Sequence, residues 1–326
     1  MAEWKVLITD RAWPDFDVES QLLDDIGATI IPATDTSEAE LVSLAGQAHA
    51  IMTCWAQVTA PVIEAASSLR IVARYGIGLD NISVDTATQR GIPVTYVPDY
   101  CVGEVSDHAL ALLLACARNI AHFHTQLKSE IYDLKAAPTM KRLSGQILGL
   151  VGMGRIAQAL AIKARTLGLE VVATSPTGNN YGTPVQMVSL DTLLRDSDFI
   201  SLHVPLNEQT HHLIDKHAFH SMKRSAYLIN TSRGPVIDQS ALEQALENKQ
   251  IAGAALDVFD VEPPDLSTAL FKLPNLVATP HAAFWSEEAL HELRFRTTQQ
   301  VVDLLSGRTP EHVVNPHVLN RTNDHV

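Results

Sequence analysis

Cysteine, positive charge and long apolar runs are all in short supply in this chain, and each shortage excludes something. Cys54, Cys101 and Cys116 are the only thiols in 326 residues, and no two form a C-x-x-C pair. That excludes a disulfide framework and a zinc ribbon, and it fits reduced thiols in a cytoplasmic protein. The most apolar run, 109–117, is nine residues, about half of what a membrane-spanning helix needs. The opening MAEWKVLITD has no basic stretch ahead of an apolar one, so a secretory leader is not expected. Lys and Arg number 24 against 37 Asp and Glu, a net charge of −13. Neither a nucleic-acid partner nor an anionic membrane surface is expected of such a chain. Ten of the acids and two of the bases fall in residues 1–48, which reads as a solvated acidic face. With 46% hydrophobic and 19% charged residues and 16 each of Gly and Pro, the composition excludes collagen, disorder and low complexity.

What is present is an alternation of short apolar runs and helical patterns. Roughly 150 residues per domain gives about two domains. The first runs are 4–9, 28–33, 50–54, 70–76 and 93–97, with helical patterns at 18–26, 37–47, from Pro61, and up to Gly91. Strand–helix–strand punctuation of this kind predicts a mostly parallel sheet covered by helices. The segment from Val102 to about Phe123 breaks the rhythm and reads as one long helix. The rhythm then restarts with strands at 146–152, 170–175, 199–204, 226–232, 251–258 and 275–280. Helices are expected at 155–168, 240–249 and 286–305. Two such sheets need separate sets of covering helices, hence two α/β units.

The strongest local signal is LGLVGMGRIAQALA at 148–161. A strand leads into Gly152-Met153-Gly154-Arg155-Ile156-Ala157 and a helix follows, the G-x-G-x-x-A form of the dinucleotide fingerprint. Gly152 permits the tight turn, Gly154 lacks the Cβ that would block a pyrophosphate, and Ala157 is small enough for close helix–strand packing. The N–H groups of Arg155 and Ile156 then open a helix toward an anion. The acid normally found about 20 residues on is absent, and the second strand ends instead at Ser175. No Arg or Lys follows in SPTGNNYG for a 2′-phosphate. NAD is the expected cofactor, and NADP stays open.

Three polar residues stand beyond later strands: Arg233 in NTSRGP, Glu262 in DVFDVEPP and His281 in TPHAAF. A fixed cation, a carboxylate and an imidazole suit the movement of a hydride and a proton at a C–OH carbon. Arg233 can pair with a substrate carboxylate through its fork. Glu262 can hold His281 and favour its protonated form. Taken singly, each also has a structural explanation: a strand-end cap, a loop acid beside prolines, a core histidine.

Together these motifs resemble the D-isomer-specific 2-hydroxyacid dehydrogenases. The resemblance extends through RYGIGLDNISVDTATQRGIPVTYVPDYCVGEVSDHALALLLACAR at 74–118 and VVNPHVL at 313–319, and so spans nearly the whole chain. It looks closest to the branch containing the C-terminal-binding-protein co-repressors and phosphoglycerate-dehydrogenase-like enzymes. The resemblance implies two doubly wound parallel-sheet domains. A flavodoxin-like substrate domain, 1–101 with 285–326, would be interrupted by a Rossmann domain at 102–284, with the active site in the cleft between domains. It implies that Arg233 binds the substrate, that Glu262 and His281 form the acid–base pair, and that Asp257 lies near the nicotinamide. His203, Pro205, Thr210 and Thr231 would line the cofactor, and the Ile77–Gly78 backbone would take the substrate carboxylate. A homodimer is implied as well. The chain departs from phosphoglycerate dehydrogenases at 53–59, where Thr53 and Gln57 replace basic residues, and this argues against 3-phosphoglycerate. Trp55, with Phe284 and Trp285, has two readings, the wall of an apolar substrate pocket or plain core.

Three other readings have less support in the sequence. His211, His212, His217 and His220 have no H-x-x-x-H spacing on one helical face, so no metal is expected. A cofactor-sensing scaffold has no need of an intact Arg–Glu–His set. A same-fold enzyme acting on formate or phosphite is left to product analysis.

Overall fold

A computed structural model describes residues 4–319, so residues 320–326 of the expected 285–326 segment lie outside the described residues. The chain forms two compact units, one up to Tyr100 and again from Ser286, the other from Cys101 to Trp285.

The first unit begins with β1 (Trp4–Ile8), α1 (Asp17–Asp24), β2 (Ala28–Pro32), α2 (Glu38–Ala45), β3 (Ala50–Thr53), α3 (Ala60–Ala65), β4 (Ile71–Arg74), α4 (Val84–Gln89) and β5 (Val94–Thr95). Ser37 caps α2 by accepting the Glu40 N–H, and Pro61 fits in the first turn of α3 because its missing N–H would have no helical partner there. All pairings are parallel and the order is β2-β1-β3-β4-β5, the flavodoxin-like arrangement. Every residue of β3 and β4 is buried, which is why these strands read as continuous apolar runs. The expected strand 93–97 pairs with β4 only over Val94–Thr95. Its free edge is covered by the C-terminal segment, where Val313 bridges Thr95 antiparallel and the Asn315 side chain accepts the Val94 N–H. Covering an edge in this way removes a template for unwanted pairing.

The second unit opens with α5 (Val102–Ala117) and α6 (Ile120–Lys128), two helices where one was expected. Asn119 takes the left-handed conformation (φ 50°) between them, and its amide donates to the Pro138 carbonyl at 2.9 Å. Asn tolerates this backbone better than most residues. Helix α5 packs on the sheet of its own unit through Ala109, Leu112, Leu113 and Cys116, whereas α6 buries none of its residues. The sheet is then built by β6 (Ile147–Val151), α7 (Arg155–Thr166), β7 (Glu170–Thr174), β8 (Gln186–Met187), α8 (Leu190–Asp196), β9 (Phe199–Leu202), α9 (Lys216–Ser221), β10 (Tyr227–Asn230), α10 (Gln239–Glu247), β11 (Gly253–Leu256) and β12 (Leu276–Ala278). Its order, β12-β11-β10-β9-β6-β7-β8, is parallel throughout and is the Rossmann order with one further strand. The short β8 and α8 carry no strong pattern in the sequence. Ser189 starts α8 by accepting the Thr192 N–H.

The last helix, α11 (Glu287–Leu305), returns to the first unit and packs on α1, β3 and β4. There Arg294 meets Glu19 at 2.7 Å and Asp15 at 2.8 Å, and Glu19 is fully buried.

Candidate active site

In a parallel sheet all strands end on one edge. Gly152 follows β6, Ser175 follows β7, His203 follows β9, Arg233 follows β10, Glu262 lies beyond β11 and His281 beyond β12. Topology alone therefore collects the separated motifs of the second unit on its carboxyl edge, where open α/β sheets hold ligands.

The order reverses between β6 and β9, and there the Gly152 loop meets the His203 backbone. A Cβ on Gly152 (φ +98°) would stand 2.5 Å from the His203 carbonyl oxygen. Gly154 caps α7 with no side chain to bond the helix N–H groups, and nothing lies within 4 Å of where its Cβ would be. Arg155 is exposed and Ile156 half-buried at the helix start, while Ala157 is fully buried against the strand. Open space in front of unsatisfied helix N–H groups fits a dinucleotide pyrophosphate. Two further features fit a bound cofactor. Ser175 stands half-buried at the end of β7, and the buried Thr231 hydroxyl has no hydrogen-bond partner among the described residues. Thr210 donates to the Pro205 carbonyl at 2.6 Å and so closes the loop after β9. Desolvation pulls the His203 imidazole down to about 4. It is therefore neutral at physiological pH, with Nε2 2.8 Å from the Ser201 hydroxyl.

The acid–base pair is explicit. His281 Nδ1 lies 2.6 Å from Glu262 Oε2. A carboxylate only accepts, so Nδ1 carries the hydrogen and Nε2 is the nitrogen left for chemistry. Glu262 is itself held from the other side, its Oε1 accepting the Phe259 N–H at 2.9 Å. Burial pushes the Glu262 carboxyl up. The hydrogen bond and charge of His281, the Phe259 N–H and the Arg233 cation outweigh burial, and the net direction is down. Glu262 is thus a dependable anion beside the imidazole.

Sequence reasoning named Asp257 but missed how it aims this pair, and it missed His108 and Asn230. The Asp257 side chain is 1% exposed. Its Oδ1 accepts from the Thr279 hydroxyl (2.6 Å) and the Ala282 N–H (2.9 Å), and its Oδ2 from the Ala283 N–H (2.9 Å). Asp257, expected beside the nicotinamide, thereby holds down the 279–283 loop, in which His281 stands at φ 51°. His108, a polar residue on the apolar α5, supports this bolt through Nε2, 2.9 Å from the Thr279 hydroxyl. Thr279 spends its hydrogen on Asp257, so His108 is the donor. On the neighbouring strand, the Asn230 amide donates to the Arg233 carbonyl (2.8 Å) and its oxygen accepts the Ser232 N–H (2.9 Å). Arg233 Nη1 donates to the Ser232 carbonyl. Gly234 packs so closely on the Phe259 carbonyl and the Asp260 N–H that a Cβ would overlap them. That contact fixes the Arg233 loop against the loop carrying Glu262.

Trp55, Ile77 and Gly78 stand in the first unit. Trp55 is 38% exposed, and its N–H is held by Asp10 Oδ2 at 2.6 Å. Asp10 also accepts the N–H groups of Cys54 and Ala56 and so shapes the loop after β3. Beneath the Ile77–Gly78 turn lies Arg74, a buried cation whose Nε donates to the Gly78 carbonyl at 3.0 Å.

Comparison with known proteins decides the family. The D-isomer specific 2-hydroxyacid dehydrogenase NAD-binding domain pattern matches residues 110–283. The chain belongs to the D-isomer-specific 2-hydroxyacid dehydrogenase family. It is 41% identical over 247 residues to a hydroxypyruvate reductase of Thermotoga maritima, covering 75% of this chain and 80% of that one. Among solved structures it resembles the D-lactate dehydrogenase of Aquifex aeolicus complexed with NAD and lactic acid (TM-score 0.86, 26% identity, 95% of this chain and 99% of that one). It also resembles the NADPH-dependent glyoxylate/hydroxypyruvate reductase of Sinorhizobium meliloti in complex with NADP and malonate (TM-score 0.86, 26% identity, 96% and 97%). The chain is accordingly an NAD(P)-dependent oxidoreductase of the 2-hydroxyacid class, with two α/β domains of which one is a Rossmann domain.

Proposed function

We propose that this dehydrogenase interconverts a small 2-keto acid and its D-2-hydroxy acid, with His281 as general acid/base, Glu262 as its partner and Arg233 as the substrate-orienting cation. The observation that carries the reading is the 2.6 Å His281–Glu262 bond, because it leaves Nε2 as the reacting nitrogen. In the reducing direction the Nε2 proton goes to the carbonyl oxygen, leaving neutral imidazole beside the carboxylate. The chemistry that a nicotinamide cofactor would supply, when bound, is the hydride for C2. Oxidation reverses both transfers. Arg233 offers a fork to the substrate carboxylate and carbonyl oxygen. The Ile77 and Gly78 N–H groups take the carboxylate, with the Arg74 cation below their turn adding to the attraction. Trp55 borders the substrate side chain.

Gly152, Gly154, Arg155 and Ile156 hold the pyrophosphate. Ser175 faces the adenosine ribose, and His203, Pro205, Thr210 and Thr231 line the rest of the cofactor. Asp257 stands near the nicotinamide amide and also holds the 279–283 loop. NAD is the proposed cofactor, and the Ser175 end of β7 carries no carboxylate to repel a 2′-phosphate. Glyoxylate and hydroxypyruvate are the proposed substrates by likeness to the reductases above. The reading includes a homodimer and a cytoplasmic location. The second is supported by three buried free thiols, two of which, Cys54 and Cys116, burial pushes up to about 12.

The test is NADH and NADPH oxidation against glyoxylate, hydroxypyruvate, pyruvate, phenylpyruvate and longer 2-keto acids, with chiral analysis of the product. Turnover of at least one acid to a D-product is expected. No rate above a His281→Ala control would overturn the proposal.

A further inference from the structure

The groove between α9 and α10, on the outside of the second unit, carries a pocket of about 450 Å3. Lys216, His220 and Arg224 line one wall, from α9 and the turn leading into β10. Gln244, Asn248 and Gln250 line the other, from the end of α10 and the turn leading into β11. Arg233, Glu262 and His281 are not among the residues that line the pocket.

Its lining has the character of an anion site. Two fixed cations and an imidazole share one wall, three carboxamides stand on the other, and no carboxylate is among the lining residues. That local excess of positive charge occurs in a chain of net charge −13. His220 Nδ1 lies 2.7 Å from the Lys216 carbonyl, which can only accept. Nδ1 therefore holds a hydrogen, and the protonated ring would present an Nε2 donor as well. The Asn248 amide nitrogen is oriented by the Gln244 carbonyl at 2.8 Å. Both helices are anchored beneath the pocket by Ala218, Phe219, Met222, Leu242 and Ala245, which belong to the unit's core. The floor is therefore packed core, and the charged side chains above it are exposed. An apolar or cationic ligand has no use for such a wall. A compact anion with two or more charges does, since Arg pairs with oxyanions through a planar fork and Lys supplies a point charge.

We propose that this pocket binds a small multivalent oxyanion, with Arg224 and Lys216 carrying the charge pairing and the carboxamides supplying further hydrogen bonds. The site is independent of the dehydrogenase chemistry. The experiment is calorimetric titration of inorganic pyrophosphate, and separately of citrate, into protein saturated with NADH so that the dinucleotide cradle is filled. One site per chain is expected for at least one of the two anions, and which one binds separates a phosphate ligand from a carboxylate ligand. In K216Q/R224Q the dissociation constant should rise at least tenfold, while KM for the keto acid and the melting temperature stay at the wild-type values. Both side chains are exposed, so their loss should leave the fold intact. Added salt should weaken binding as it screens the pairing. Failure of both anions to bind, or binding that the double substitution leaves unchanged, overturns the proposal.

Discussion

At the residue scale, function rests on side chains whose neighbours decide what they can do. His281 is an ordinary imidazole until Glu262 fixes its tautomer, and Glu262 is an ordinary loop acid until His281, the Phe259 N–H and Arg233 keep it ionised against its burial. On the proposed mechanism His281→Ala lowers kcat by a factor of about 10² to 10⁴, the usual worth of a positioned acid–base. Arg233→Ala loses chiefly kcat/KM. Steady-state kinetics on both variants checks this, and normal turnover in the His281 variant would sink the mechanism. His203 makes a different prediction. Its folded value is about 4 against an ordinary 6.5, so between these pH values the unfolded chain takes up a proton that the folded chain refuses. Acid therefore favours unfolding, by at most about 1.4 kcal/mol per pH unit from this group. Stability from this source is intact above pH 6.5 and falls as the pH is lowered toward 4. Denaturant unfolding of the wild type and of His203→Gln across that range should show the shallower pH slope in the variant. Equal slopes would refute the assignment.

At the element scale, the discontinuous unit depends on α11 docking on α1. Arg294 holds both Asp15 and the fully buried Glu19, which also accepts the Tyr75 hydroxyl. A buried carboxylate stripped of its cation is costly. Arg294→Ala should destabilise the protein by about 3–5 kcal/mol, read as a drop in the urea midpoint. Arg294→Ala/Glu19→Leu should recover part of that loss, since the isolated charge is gone. The α5–α6 break belongs to this scale too. Composition alone reads 102–123 as one helix. The break comes from Asn119, whose side chain finds a tertiary partner in the Pro138 carbonyl, and no periodicity argument from the apolar residues registers that.

At the scale of the whole molecule, the exposed apolar residues of 120–134 stand out. Tyr132 is 94% exposed, Leu134 77%, Ile120 and Leu127 58% each. Exposed large apolar residues so close along the chain are candidates for an interaction surface. The proposed homodimer would bury it. Light scattering should give about twice the 35.5 kDa chain mass, and Tyr132→Glu with Leu134→Glu should shift it toward the monomer. A monomeric wild type would remove the dimer from the reading. No helix among the described residues is long and apolar enough to cross a membrane.

Much of this was legible in the sequence. Short apolar runs alternating with helical patterns predicted parallel α/β units, because strands buried on both faces must be apolar throughout. The glycine turn at 152–157 and the trio Arg233, Glu262 and His281 were readable because their chemistry depends on residue type at short range. What only the tertiary structure decided is how those groups are aimed. Asp257 lies 22 residues from Thr279, His108 lies 171 residues from Thr279, and Gly234 is required by Phe259 across the gap between two strands. Hydrogen bonds and steric contacts of that kind join residues distant along the chain, and no local pattern records them. The sequence by itself determined which chemical groups this dehydrogenase carries and the strand ends they follow. Folding decided which of them touch, because parallel strands bring every carboxyl end to one edge and buried carboxylates such as Asp257 then fix the loops that leave it.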